Sequence, residues 1–204
     1  MRRLLFVLCS ISFLAAPLRA GDAETALQPM AVSVQAEPVK TLETIYRAYV
    51  TVGQEKFAFL IPEKFHTGGD PAQGKLQLTS LTGDTMISFS FIGPAPTEAT
   101  DGGRERYREL LSSRYAQGKI LSEFTRPALG RNGLGFDVEW KSPAGLLQKT
   151  RAVYIPTAAG MLEVTLTTGT RNFTAMQESL NLTLGSLQSS VGGKLTVHHI
   201  ASAN

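Results

Sequence analysis

Gly135-Phe136-Asp137-Val138-Glu139-Trp140-Lys141 alternates apolar with polar residues, and so does Met161-Leu162-Glu163-Val164-Thr165-Leu166-Thr167-Thr168. Strict alternation is the mark of a half-buried strand, because successive side chains point to opposite faces. Phe136, Val138 and Trp140 share one face, and Leu162, Val164 and Leu166 share another. Between the two runs, Pro143-Ala144-Gly145 turns the chain into a strand from Leu146 to Ile155. Pro156 to Gly160 then turns it again. Links this short join antiparallel neighbours.

The pattern extends upstream. Thr44–Val52 and Lys56–Ile61 read as strands broken at Gly53-Gln54, and Pro62 ends the second because it has no N–H for a ladder. Leu76 and Leu78 alternate with Lys75, Gln77 and Thr79. A turn at Thr82-Gly83-Asp84 leads to Ile87, Phe89 and Phe91, which alternate with Ser88 and Ser90. Ile120–Pro127 reaches the quoted stretch through a turn expected at Asn132-Gly133.

Two segments change period. Tyr107, Leu110, Leu111 and Tyr115 recur at helical spacing after Asp101, with Arg104, Glu105, Arg108 and Glu109 on the wet side and Gly118 as the stop. Phe173, Met176, Leu180, Leu184 and Leu187 mark a second helix. The order strands–helix–strands–helix describes an α+β domain with a six- or seven-stranded, largely antiparallel sheet and two main helices.

At the N-terminus, Arg2 and Arg3 precede an apolar run from Leu4 to Ala16. As a helix it covers about 20 Å, short of the roughly 30 Å hydrocarbon slab. A basic start, a short apolar middle and small residues near Ala20 predict a secretory signal peptide over residues 1–20; an uncleaved anchor is the alternative. The expected location is therefore exported, periplasmic or secreted. Residues 21–40, with Pro29 and Pro38, are expected to be a flexible linker, 41–188 the folded domain, and 189–204 a loose tail.

The whole chain has 204 residues, 43% of them hydrophobic, which excludes wholesale disorder. Its net charge is +3, but residues 1–20 carry three arginines and no acid. Without them 17 basic residues face 17 acidic ones, so no long-range field remains for nucleic acid. Cys9, the one cysteine, also leaves with the leader, taking disulfides and thiolate chemistry with it. After cleavage no stable membrane insertion is expected.

Searches for catalytic motifs are unproductive. Gly130-Arg131-Asn132-Gly133-Leu134-Gly135 runs into a strand rather than opening a helix, so it reads as a turn and not a phosphate cradle. His198 and His199 are adjacent and on a strand would diverge, which suits no chelate. Asp137 and Glu139 lie opposite the Phe136/Val138/Trp140 face and read as a solvated surface that pairs with Lys149 or Arg151. Trp140 reads as core. Two sequons, at Asn172 and Asn181, fall on the second helix and are discounted. His66 and Asp70, in a polar stretch with Thr67-Gly68-Gly69, form the candidate binding loop. No catalytic residue, metal ligand or cofactor site is assigned.

Phe57-Ala58-Phe59-Leu60-Ile61-Pro62-Glu63-Lys64-Phe65 resembles the opening strand of the PsbP/Mog1-like superfamily, and the order of elements over roughly residues 44–189 is similar. The resemblance implies a three-layer α/β/α sandwich and a non-enzymatic accessory role. No functional residue of that superfamily carries over to a position here. The expectation is an exported accessory or binding protein that engages another envelope or secreted protein, by a sheet edge or the segment His66–Gly74. The rivals are a small-ligand carrier and a hydrolase built on His66 and carboxylates.

Overall fold

The computed structural model describes residues 27–38, 44–93, 101–115 and 117–195. The leader and the His198-His199 pair lie outside them. Eleven strands and two α-helices occur among the described residues. The strands form two antiparallel sheets, and the class is α+β as expected.

The seven-stranded sheet has the order β4 (Phe65–Asp70), β5 (Lys75–Ser80), β6 (Thr85–Ile92), β10 (Gly160–Gly169), β9 (Leu147–Thr157), β8 (Arg131–Lys141) and β7 (Lys119–Ala128). The four-stranded sheet runs β1 (Ala31–Pro38), β2 (Thr44–Val52), β3 (Glu55–Ile61) and β11 (Gln188–Val191). Helix α1 spans Asp101–Arg114 and α2 spans Phe173–Gly185.

The larger sheet has the seven antiparallel strands expected; where the resemblance implies a second helical layer, four further strands form a smaller sheet. One face of the larger sheet carries α1. The other packs on the smaller sheet, with α2 extending that layer. Alternation explains the arrangement, since β5, β6 and β10 each send an apolar row inward. Leu76, Leu78, Ile87, Phe89, Phe91, Leu162, Val164 and Leu166 all reach the inter-sheet core. There Phe59 stacks on Phe89 with centroids 4.3 Å apart, and Phe57 meets Phe91 at 4.9 Å. The residual void is about 10 Å³.

Helix α2 also closes an edge. Strand β11 covers β3 only over Glu55–Ala58. Beyond it the Leu60 N–H donates to Ser186 Oγ at 2.8 Å, and Thr183 Oγ1 donates to the Leu60 carbonyl at 3.4 Å. Backbone groups that lack a strand neighbour thus find hydroxyls.

Several boundaries differ from the sequence reading. Residues 27–38 are not a linker: Leu27 bridges Ile92, the Gln28 N–H donates to the Phe91 carbonyl, Met30 is buried, and Ala31–Pro38 pairs with β2 along its whole length. An edge strand needs little apolar content, and Pro38 is tolerated as its last residue. The expected loose tail begins with β11. The hairpin turn before β8 sits at Leu129-Gly130, both at positive φ (54° and 69°), as a type I′ turn requires; Asn132 and Gly133 already pair in β8. Gly135 serves packing, because a Cβ there would sit inside the Phe124 ring. Asp137 is buried rather than solvated. Its carboxylate accepts two hydrogen bonds from Arg151, at 2.7 and 2.8 Å, the expected cross-strand partner. Phe124 lies 4.7 Å from that guanidinium.

The turn before β6 is fixed by charge. Asp84 Oδ1 accepts from Thr82 Oγ1 at 2.7 Å, Ser80 Oγ at 3.0 Å and Thr85 Oγ1 at 3.1 Å, while Oδ2 accepts from Asn172 Nδ2 at 3.1 Å. The bonds from Thr82 and Ser80 hold its carboxyl below its usual 3.8. A depressed folded value contributes stability that is present above the unfolded one and is lost as pH falls through the folded value. In urea titrations the wild type should therefore be more stable than Asp84→Asn at pH 7 and pH 5, by an amount that solvent screening keeps small, and the gap should close as pH falls below about 4.

Candidate functional site

Register across five strands decides the character of the α1 face. One row runs Lys75, Ser90, Glu163, Tyr154, Leu134; the next runs Gln77, Ser88, Thr165, Ala152, Phe136; a third runs Thr79, Met86, Thr167, Thr150, Val138. The first two rows begin polar on β5, β6 and β10 and end apolar on β9 and β8, apart from the Tyr154 hydroxyl; the third carries Met86 on β6 and stays polar as far as Thr150 on β9. The face is split lengthwise.

Helix α1 lies on the apolar half. Tyr107 and Leu111 are buried against Phe136, Val138, Ala152 and Tyr154, and the Tyr107 ring stacks on Tyr154 at 4.1 Å. On its outer side, Arg108 donates to Glu123 of β7 at 2.6 and 2.8 Å. That hydrogen-bonded pairing holds the Glu123 carboxyl below its usual range. The left-handed residue after the helix is Gln117 (φ 65°), not Gly118.

The polar half is open. A groove of about 520 Å³ lies there, floored by Gln77, Ser88, Ser90, Thr165 and Thr167 with Met86 among them, and bordered by Leu27, Tyr115 and Trp140. Among the described residues, Gln77, Ser88, Ser90 and Thr165 make no hydrogen bond to another side chain. Trp140 is half-buried, so the expectation of core holds for only part of its ring. Its Nε1 donates to Thr150 Oγ1 at 2.9 Å, and Thr150 meets Thr167 Oγ1 at 2.9 Å. This chain fixes the indole, whose ring lies 5.0 Å from that of Tyr115.

At the seam between the halves, Arg114 in the last turn of α1 donates to Glu163 Oε1 at 2.7 Å. The Glu163 side chain is 5% exposed and that of Arg114 36%. Burial alone would lower Arg114, but the charge and hydrogen bond of Glu163 outweigh it and raise the guanidinium further. Burial pushes Tyr107 up to about 12, and burial followed by the Glu163 charge raises Tyr154. Both phenols stay neutral at working pH, and the one carboxylate at the seam is engaged by Arg114. The site offers hydrogen bonds and ring faces.

His66 and Asp70 continue the third and first rows onto the next strand, on the same sheet face as the groove but outside its lining. They lie on β4, an edge strand rather than a loop, paired to Thr79 and Lys75. Both are exposed and stand four residues apart, about 13 Å along an extended chain. Asp70 Oδ1 accepts instead from the Gln73 N–H at 3.3 Å. The two form no dyad. Among the described residues no cluster of three or more His, Cys, Asp or Glu is placed to hold a metal. No helix among them is long and apolar enough to cross a membrane. Sequence reading missed Arg114 and the groove, although Glu163 was visible as an isolated acid in an apolar strand.

No family model matches the chain, and no curated protein does. Solved structures are similar. One is LpqN, involved in cell envelope biogenesis of Mycobacterium tuberculosis, at 9% identity over 78% of this chain and 91% of that one, TM-score 0.49. Another is cyanobacterial PsbP from Synechocystis, at 12% identity over 78% and 92%, TM-score 0.48. A protein of unknown function from Pseudomonas aeruginosa follows at 12% identity over 72% and 91%, TM-score 0.40. At this distance the function is argued from the residues.

Proposed function

We propose that the chain is an exported, non-catalytic binding protein that holds a small polar ligand in the groove beside α1. The observation that carries this reading is the split sheet face. A face meant for burial would continue its apolar rows across β10, β6 and β5, because unpaired hydroxyls and amides are costly to cover. Here those rows change mainly to Ser, Thr and Gln where the helix stops, with Met86 the apolar exception and Lys75 and Glu163 the charged ones. The groove volume lies within the roughly 300–1,000 Å³ typical of small-ligand sites. The engaged Glu163 and neutral phenols support binding over bond-making, and the separation of His66 from Asp70 speaks against the hydrolase reading.

The test is an amide-shift map of the isotope-labelled protein against the small-molecule fraction of its native envelope. Shifts should cluster at Gln77, Ser88, Ser90, Thr165 and Thr167 and disappear in Ser88→Phe, which fills the floor. A map with no groove response contradicts the reading.

A second reading, docking of another envelope or secreted protein, rests on β7. It is a ten-residue edge strand on which Leu121 is 42% exposed. Open edges accept added strands. In that case the shifts fall on Lys119–Ala128 when envelope proteins are added, and Ser88→Phe leaves them unchanged.

A further inference from the structure

We infer that the groove ligand is a neutral carbohydrate, a short oligosaccharide; this rests on the reading of the groove as a ligand site. The strands beneath it have neighbours on both sides, so their backbone N–H and C=O groups are engaged in ladders. A peptide cannot add here as a strand, and recognition falls to side chains. Around the Met86 side chain the floor presents three hydroxyls and one amide without a side-chain partner, from Ser88, Ser90, Thr165 and Gln77, each both donor and acceptor. Such groups match a ligand whose own groups donate and accept at every position, as sugar hydroxyls do. An acyl chain would leave them unpaired.

Charge argues the same way. Arg114 and Glu163 neutralise one another at 2.7 Å, and Lys75 at the exposed rim has Asp70 of β4 as its cross-strand neighbour. A multiply charged anion would find no cluster of cations. The wall completes the match. Trp140 is locked by its bond to Thr150, and Tyr115 stands beside it. The negative π faces of such rings accept the weakly positive C–H face of a pyranose, and a wall fixed beforehand costs little ordering on binding.

The experiment titrates maltotriose, chitotriose and mannotriose separately into the isotope-labelled protein, with inorganic phosphate, diglycine and decanoate as contrasts. At least one trisaccharide should shift the Trp140 indole N–H together with the Ser88 and Ser90 amides. Trp140→Ala should weaken binding about tenfold, equivalent to about 1.4 kcal/mol. Ser88→Phe should abolish the response while keeping the wild-type amide spectrum elsewhere, which guards against misfolding of the tryptophan variant. Silence from all three sugars overturns the inference, as does an equal response in Ser88→Phe. If a contrast compound shifts the groove instead, the carbohydrate inference falls and the binding reading stands. If neither these probes nor the envelope fraction reaches the groove, both fall.

Discussion

Phe59→Ala should lose about 3–5 kcal/mol of folding stability, enough to unfold much of the population near physiological temperature. Phe59 is fully buried on β3 and stacks on Phe89 of the larger sheet at 4.3 Å, so it is one of the side chains that join the two sheets. Truncation removes a whole ring from a region whose residual void is only about 10 Å³. Collapse into the vacated space is resisted from two sides, because Val50 and Phe57 belong to one ladder while Phe91 and Leu162 belong to the other. Phe59→Leu should cost clearly less, since it refills most of the volume. Chemical denaturation checks both. A loss below about 1 kcal/mol for Phe59→Ala would mean that the smaller sheet does not pack as described.

Arg114→Ala should cost about 3 kcal/mol, by a different mechanism. The Glu163 side chain is 5% exposed and its described cation is Arg114 at 2.7 Å. Removing that partner strands a carboxylate beside Tyr154, its cross-strand neighbour on β9, and breaking a buried pair typically costs 3–5 kcal/mol. The lower end applies because Arg114 is 36% exposed and water can reach the vacated space. Adding Glu163→Gln to Arg114→Met should recover most of the loss, since both charges leave together. A double variant as unstable as Arg114→Ala alone would show that the seam is held by packing and not by the pair. Because Arg114 ends α1 and lines the groove, its loss should also weaken ligand binding.

Much of the frame was legible in single segments. The helical spacing of Tyr107 and Leu111 marks the face that is buried, and the alternation of Leu76–Thr79 against Ile87–Phe91 marks the hairpin that forms. Asp137 and Glu139 do meet Arg151 and Lys149, because pairs on adjacent antiparallel strands follow from turn length alone. Strands β1, β4 and β11 escaped notice for a shared reason. Each lies at a sheet edge, where one neighbour suffices and the side chains stay largely exposed, so the sequence carries Gly68, Gly69, Ser189 and Ser190 without an apolar period. The second sheet was hidden with them, since β1 and β11 are its edges.

The groove was invisible for a deeper reason. Ser88 and Ser90 read as the wet side of a hairpin, and Thr165 and Thr167 as the wet side of another strand. Only the pairing of β6 with β10, which are far apart in the chain, puts them on one floor. Arg114 and Glu163 are 49 residues apart and meet through the packing of α1 on the sheet. His66 and Asp70 attracted interest because they stand alone in a polar stretch; the same polarity placed them on an exposed edge.

Whether the open polar half of the α1 face is a ligand floor is read directly by the amide-shift map of wild type beside Ser88→Phe. Native envelope small molecules should move Ser88, Ser90 and Thr165 in the wild type and leave the filled variant untouched. Shifts confined to β7, or identical maps for the two proteins, would contradict it.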